Sequence, residues 1–271
     1  MKTIFSFLFI FSTFLFSKDI IKDKVYTFGV VPQQSPQKMF SIWKPIVEEL
    51  KKTTGLNIVL KIEKSIPIFE KKLYSGQYDI AYSNPYHFVI ANKYQGHQAV
   101  LRFNKEIQGI LVTNTNSSIT NIEELNNDNS FLFPAPKAFA ATILTKYELL
   151  NKKNINVEKN KNFKYVNSHD SVYLGVLRNV GDVGAGIMRT FNNFKDKDKL
   201  RIVYKTNKYP SHPISITNKI DKKIKTKIEL GFISLSLKVL KKVQPKSLKI
   251  TTSEEYNIVR DLAKELHIFR P

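Results

Sequence analysis

The sequence contains no cysteine, and this absence excludes several classes of site. Without thiols there is no disulfide, no cysteine-ligated zinc, no iron–sulfur cluster and no catalytic thiol. A lipid-anchored bacterial lipoprotein is excluded as well, because its lipid is carried by a cysteine. The motifs GxSxG, GxGxxG and the Walker loop are also missing, and the histidines lack metal-ligand spacing. We therefore expect no catalytic residues, no metal and no cofactor.

Long apolar runs are missing beyond the N-terminus. The first seventeen residues, MKTIFSFLFIFSTFLFS, combine Lys2 with an apolar stretch at residues 4–16 and the small residue Ser17. As a helix this stretch spans about 20 Å, short of the hydrocarbon core of about 30 Å. The pattern favours a signal peptide cleaved near Ser17 over a membrane anchor. We therefore expect an exported protein that is soluble in the periplasm.

Acidic residues are scarce: 23 Asp and Glu stand against 43 Lys and Arg, which gives a formal charge of +20. The lysines are spread evenly, whereas nucleic-acid binding favours a clustered basic face with interleaved aromatics. We expect a solvated basic surface and no nucleic-acid partner. The chain is 42% apolar, which is enough for a folded core in one large domain or two small ones.

Short strand-like runs alternate with helical patterns along the chain. Residues 26–31 are typical of a buried strand, and residues 38–52 of a helix that stops at Gly55. The alternation restarts near residue 115, where residues 138–150 predict a strong helix. This rhythm predicts an α/β fold of two lobes, each a mostly parallel sheet flanked by helices, with a ligand cleft between them.

The second lobe is predicted to be inserted into the first, because the apolar residues 214–216 suggest a return to the first sheet. The chain then crosses between the lobes twice, near residues 105–116 and 206–214. The predicted organisation is a signal peptide at 1–17, lobe 1 at 18–110 and 212–271, and lobe 2 at 111–211.

Four strand-to-helix turns carry the candidate binding residues. Each turn leaves free backbone N–H groups at the positive end of a helix dipole, which suits an anion. Simpler roles stay open: Asn84 and Asp170 as helix caps, Tyr82 and Tyr86 as core aromatics, and His169 as a surface histidine. The turns are residues 31–35, 82–87, 134–142 and 167–171.

Four segments together resemble the phosphonate, phosphite and phosphate-type periplasmic binding proteins of ABC importers. This resemblance covers roughly residues 25–216, and it implies a type II periplasmic-binding-protein fold whose two lobes close over an oxyanion, without catalytic activity. The segments are YTFGVVPQQSPQKMFSIWKPIVEEL, GQYDIAYSNPYHFVIA, FPAPKAFAATILTKYELL and NSHDSVYLGVLRNVGDVGAGIMRTF.

The resemblance implies a set of ligand-binding residues. The family places an aromatic in the turn that matches 82–86, and hydroxyls and amides at a helix start that here retains only Thr142 as a hydroxyl. Where the family has a carboxylate for an aminoalkyl group, this chain has Arg189, which would repel an ammonium and attract a second anion. The simpler alternative, that Arg189 points to solvent, stays open. The implied residues are Tyr82, Asn84, Tyr86, Ala138, Phe139, Ala140, Thr142, His169, Asp170 and Arg189.

The resemblance also implies partners. The expected ligand is a small anion such as phosphonate, phosphite, phosphate or a related oxyanion, and the expected protein partner is an ABC permease in the inner membrane. We expect a monomer that is not an enzyme. Two alternatives stay open: a periplasmic sensor subunit that signals to a membrane kinase, and an enzyme on the same fold, as in the menaquinone pathway. The signal peptide argues against the latter, because those enzymes are cytoplasmic.

Overall fold

The computed structural model describes residues 24–243 and 247–271, and the predicted signal peptide lies outside them. The described residues form two β-sheets. Their strands are β1 (Val25–Val30), β2 (Asn57–Ile62), β3 (Ile80–Tyr82), β4 (His97–Phe103), β5 (Glu106–Asn114), β6 (Phe131–Phe133), β7 (Phe163–Tyr165), β8 (Val183–Ile187), β9 (Leu200–Pro210), β10 (Pro213–Thr217) and β11 (Leu248–Ile250).

Helices connect these strands and cover the sheets. A single π-helical turn, Phe139–Ile143, leads directly into the fourth α-helix. Short 3-10 turns lie at Ile122–Glu124, Lys197–Lys199 and Ser253–Tyr256. The α-helices are α1 (Pro36–Thr54), α2 (Ile66–Tyr74), α3 (Pro85–Gln95), α4 (Leu144–Lys153), α5 (Val157–Asn160), α6 (His169–Leu177), α7 (Met188–Asn192), α8 (Lys222–Ile233), α9 (Leu237–Leu240) and α10 (Asn257–Glu265).

The strand pairing is mixed in both sheets, which corrects the prediction of mostly parallel sheets. Within the described residues, the first sheet has the order β11-β4-β10-β3-β1-β2 and the second β7-β6-β8-β5-β9. Strand β1 is parallel to β2 and β3, and β6 is parallel to β7 and β8. The strands next to the crossovers differ: β10 is antiparallel to β3 and β4, and β5 to β8 and β9. Strand β5 enters the second sheet from the first, and β10 re-enters the first sheet from the second. Each of these strands therefore runs against its neighbours.

Two short crossovers join the sheets. The chain leaves β4 at Phe103 and starts β5 at Glu106, and it returns from β9 at Pro210 to β10 at Pro213. Both passages lie side by side, since the Ser211 hydroxyl donates to the Phe103 carbonyl over 2.9 Å. The exact lobe boundaries proposed from the sequence stay a prediction.

Helix α1 shows how the local sequence determines the packing. The Ser35 side chain caps its first turn, and Gly55 ends it in the left-handed conformation, as the sequence predicts. Its apolar face carries Trp43, whose ring meets Phe28 of β1 edge to face at 5.5 Å. Among the described residues, no helix is both long enough and apolar enough to cross a bilayer.

Candidate functional site

A small cavity lies between the two sheets, at the carboxyl ends of β1, β3, β6, β7 and β8. Ligands of open α/β sheets bind at such edges, because the following turns and helix starts converge there. The cavity has a volume of about 20 Å³. Its lining residues are Val31, Gln33, Ile66, Asn84, Ile107, Ala138, Phe139, Ala140, Ala141, His169, Ile187 and His212.

The helix start at residues 138–141 forms one wall of this cavity. Thr142 donates its backbone N–H to the Ala138 carbonyl over 2.7 Å, which closes the first turn. The N–H groups of the residues just before Thr142 have no earlier carbonyl within the helix to bond, so they point out of its N-terminal end. Phe139, Ala140 and Ala141 are buried, and their small or apolar side chains leave the backbone as the polar part of this wall.

His169, at the start of α6, faces the cavity from the second lobe. It is only 2% exposed, and its Nδ1 atom has no hydrogen-bond partner. Burial and the nearby positive charge of Arg189 lower the pKa of His169 to about 3. The imidazole is therefore neutral at neutral pH, and it can donate one ring N–H to an acceptor in the cavity. The alternative of a surface histidine is wrong.

Gln33 and His212 form the opposite wall. The amide Nε2 of Gln33 lies 2.9 Å from His212 Nε2, although 179 positions separate the two residues in sequence. Burial, followed by the charge of Arg189, lowers the pKa of His212 well below its ordinary value. Gln33 Oε1 is buried without a partner. These two residues add polar groups that an incoming ligand can contact.

Asn84 connects the two lobes. Its Oδ1 accepts from the backbone N–H of His87 over 2.7 Å, so Asn84 caps α3 as expected. Its Nδ2 donates to the carbonyl oxygen of Lys137 over 3.1 Å. Because Asn84 follows β3 of the first sheet and Lys137 follows β6 of the second, this hydrogen bond crosses the cleft.

Arg189 lies beside the small cavity and lines a second one. The second cavity has a volume of about 260 Å³ and shares Ile107, Ile187 and His212 with the first. Arg189 is half-buried, and its Nη2 atom is buried without a hydrogen-bond partner. The structure therefore places this guanidinium next to the cleft, where its charge reaches both His169 and His212.

The two tyrosines of the predicted set lie outside the lining of the small cavity. The ring of Tyr82 packs between Trp43 and His212, with centroid distances of 4.6 and 5.3 Å. The hydroxyl of Tyr86 donates to the carbonyl oxygens of Ile268 and Arg270 near the C-terminus. Tyr82 therefore packs against the ring of His212, whereas Tyr86 binds the C-terminal segment.

Thr142 and Asp170 also lie outside this lining. The Thr142 hydroxyl donates to the Ala135 carbonyl over 2.8 Å and so holds the turn before the helix. The helix α6 is capped by Ser168, whose side chain accepts from the Ser171 N–H, so the interpretation of Asp170 as its cap is wrong. Asp170 is half-buried, and burial raises the pKa of its carboxyl group.

Seven lining residues are missing from the set predicted from the sequence: Val31, Gln33, Ile66, Ile107, Ala141, Ile187 and His212. Gln33 belongs to the candidate turn at residues 31–35, and Ala141 belongs to the predicted helix start, so the sequence carries a usable signal for both. His212 follows no parallel strand, and it lies on the return crossover where no motif marks it. No group of three His, Asp or Glu side chains in the described part of the chain is arranged to hold a metal ion.

Comparison with known families and structures connects this geometry to a class of proteins. A family described as "ABC transporter, phosphonate, periplasmic substrate-binding protein" matches residues 28–256. No curated protein matches the chain.

Solved structures share the architecture at low sequence identity. A binding component of an ABC phosphonate transporter from Pseudomonas aeruginosa has a TM-score of 0.81 and 19% identity, over 90% of this chain and 86% of that one. PhnD1 from Prochlorococcus marinus, in complex with methylphosphonate, has a TM-score of 0.79 and 18% identity, over 90% and 99%. A Xanthomonas citri protein bound to ATP has a TM-score of 0.70 and 12% identity, over 90% and 98%.

These likenesses confirm the two-lobed α/β fold of type II periplasmic binding proteins. The family match extends over most of the chain and includes both walls of the cavity. The chain therefore belongs to the phosphonate family of periplasmic substrate-binding proteins of ABC transporters.

Proposed function

We propose that the cleft captures a small phosphorus oxyanion, such as a phosphonate, phosphite or phosphate, for an ABC importer. The observation that supports this ligand class is the convergence of donors on one cavity. The helix start at residues 138–141 offers backbone N–H groups, and His169 presents a buried ring nitrogen without a partner. Hydrogen bonds from such preorganised donors to an anion are the stronger kind.

Each of these groups has a distinct role in the proposal. The amides of Phe139, Ala140 and Ala141 hold the oxyanion in place of the lost hydroxyl side chains. His169 donates one ring N–H, and its neutral state avoids the cost of a buried charge before the ligand binds. Arg189 supplies the positive charge that compensates the anion. Asn84 contributes indirectly, because it stabilises the approach of the two lobes.

The complex of the Prochlorococcus marinus protein with methylphosphonate supports a phosphonate as ligand. The ATP-bound Xanthomonas citri protein shows that this fold also accommodates a larger phosphorylated compound. Calorimetric titration distinguishes among the phosphorus oxyanions.

Ligand entry requires the lobes to separate. The small cavity lies between the two lobes and has a volume of about 20 Å³, so a tetrahedral oxyanion reaches its donors only when the lobes move apart. The two crossovers are the only covalent links between the sheets in the described chain, which makes them the natural hinge. Binding then shifts the population toward the closed state. X-ray scattering should show compaction on addition of saturating ligand, and unchanged scattering would contradict closure about this hinge.

Isothermal titration calorimetry tests the ligand class directly. We expect methylphosphonate, phosphite or phosphate to bind, and sulfate to bind more weakly or not at all. His169→Gln should weaken binding about 10-fold or more, the scale of one hydrogen bond to a charged group. His267→Gln, at an exposed position far along the chain, is the matched control and should leave affinity unchanged. Lack of binding by all three phosphorus oxyanions would overturn the proposal.

The proposal includes export and a membrane partner. The mature chain begins near Lys18 after cleavage at Ser17, acts as a monomer without catalytic activity, and delivers its ligand to a permease rather than to a sensor kinase. N-terminal sequencing of the exported protein checks the cleavage near Ser17. A protein that keeps Met1 and stays in the membrane would contradict it. Size-exclusion chromatography with light scattering checks the monomer, and product analysis after incubation with ligand checks the absence of catalysis.

A further inference from the structure

The larger cavity beside the binding site has its own polar lining. It adjoins the small cavity along Ile107, Ile187 and His212, and it is about 260 Å³ in volume against about 20 Å³. A ligand whose head occupies the small cavity therefore has adjoining room for a second group in this direction. Its polar lining beyond His212 consists of Lys105, Glu106, Gln108, Arg189, Lys208 and Ser211.

The charge in this second cavity is mainly positive. Lys105, Arg189 and Lys208 line it, against the single carboxylate of Glu106. Arg189 and Lys105 are half-buried, whereas Lys208 is exposed. Within the described residues Arg189 makes no ion pair, and its Nη2 atom is buried without a hydrogen-bond partner. A buried donor without a partner costs free energy, so a ligand acceptor at this position gains more than one at a solvated arginine.

The cavity is also built on the hinge. Lys105 and Glu106 belong to the outgoing crossover, and Ser211 and His212 belong to the return crossover. His212 lines both cavities and contacts Gln33 on the first lobe. A ligand group bound here touches both hinge segments as well as Arg189, so its binding energy acts on lobe closure.

We infer that the ligand carries two anionic groups: a phosphorus oxyanion in the small cavity, and a carboxylate or second oxyanion held by Arg189 in the larger one. The chemical class is that of the short carboxyalkyl phosphonates. This inference rests on the proposed function, since it needs the oxyanion in the small cavity. The planar guanidinium of Arg189 can hold a carboxylate by two parallel hydrogen bonds, and the same positive lining rejects an ammonium group.

Calorimetry with matched ligands tests this assignment on the full mature protein. The probes are methylphosphonate, which lacks a second acid, and phosphonoacetate, which has one. We expect phosphonoacetate to bind about 10-fold or more tightly than methylphosphonate, the scale of a charge-assisted hydrogen bond. Arg189→Ala should remove this preference, because it weakens the binding of phosphonoacetate more than that of methylphosphonate. Arg189→Lys should keep part of the preference, because the charge remains while the two-bond geometry is lost.

Arg178→Ala is the matched control, since Arg178 is an exposed arginine at the end of α6. It should preserve the preference, and circular dichroism should show that every variant is folded. Equal affinity of the wild type for the two probes, or a preference that persists in Arg189→Ala, overturns the second anion site while the proposed function stands. Lack of binding by either probe, and by phosphite and phosphate, overturns the proposed function and this inference together.

Discussion

The carbonyl oxygen of Ala140 lies against the backbone of Gly109, so close that a Cβ atom on Gly109 would overlap it. Gly109 belongs to β5, and its N–H donates to the Thr206 hydroxyl over 2.9 Å. The helix start that forms one wall of the cavity is thus seated directly on a strand of the second sheet. Only glycine permits this approach, so the position of the backbone N–H groups depends on Gly109.

Gly109→Ala should therefore affect both stability and binding. The added methyl group must displace the turn around Ala140, and overpacking of this kind typically costs about 1–3 kcal/mol. We expect a lower free energy of unfolding in urea and about 10-fold weaker binding of the oxyanion, because the N–H groups move out of place. Gly55→Ala is the control: its φ of +64° makes alanine unfavourable by about 1–2 kcal/mol, but nothing lies near the new methyl group. Unchanged affinity in Gly109→Ala would contradict the role of this wall.

Acid should destabilise the protein through its buried histidines. The pKa of His169 is about 3 in the folded state against 6.5 as the ordinary value. Between these values the unfolded chain binds a proton that the folded chain does not. The free energy of unfolding therefore decreases as the pH falls from 6.5 towards 3, by about 1.4 kcal/mol per pH unit for this histidine. Burial also lowers the pKa of His97, to about 4, so the full dependence is steeper.

Urea denaturation between pH 4.5 and 7 checks this expectation. His169→Gln should show a shallower decrease than the wild type, by the contribution of one proton. A saturating anionic ligand should also make the decrease shallower, because an anion beside the imidazole favours its protonated form. His267→Gln serves as the control, since this histidine is exposed. If the free energy of unfolding has the same pH dependence in the wild type and in His169→Gln, folding does not lower the pKa of His169.

Asn84 should influence the balance between open and closed lobes. Asn84→Asp keeps the oxygen that caps α3, but it loses the donor to the Lys137 carbonyl and places a carboxylate opposite that oxygen. Loss of one hydrogen bond across the cleft is worth about 1 kcal/mol, so the open population should rise roughly fivefold. Asn156→Asp, at the cap of α5, is the control without a bond across the cleft. A radius of gyration equal to the wild type, measured by scattering without ligand, would contradict the effect.

The fold could be predicted from local signals where these signals are strong. Gly55 ends α1, and Asn84 with Pro85 starts α3, because capping depends on a few neighbouring residues. Strand β11 carries no such signal, because it is only three residues long, lies at a sheet edge and contains Lys249. The antiparallel direction of β10 cannot be predicted from its residues, because it follows from the path of the return crossover.

The site could be predicted only in part, for a similar reason. His169 and residues 138–140 follow strands that end at the cleft, and this placement is visible in the order of elements. Gln33 and His212 meet only because the chain returns to the first sheet. Residue type alone does not place the two tyrosines. An aromatic near a turn is expected at a binding site, but packing determines whether the side chain of Tyr82 or Tyr86 reaches the cavity.

Reversal of the charge at Arg189 should reverse the selectivity of the second cavity. Arg189→Asp removes the donor for an acidic group and adds a carboxylate that can pair with an ammonium. We expect weaker binding of phosphonoacetate than in Arg189→Ala, by repulsion between like charges, and tighter binding of 2-aminoethylphosphonate than in the wild type. Lys105 and Lys208 remain in the lining and limit the gain. Calorimetric titration of both ligands checks the exchange. If the wild type binds 2-aminoethylphosphonate more tightly than any diacid or simple oxyanion, Arg189 does not occupy the position of the family's carboxylate.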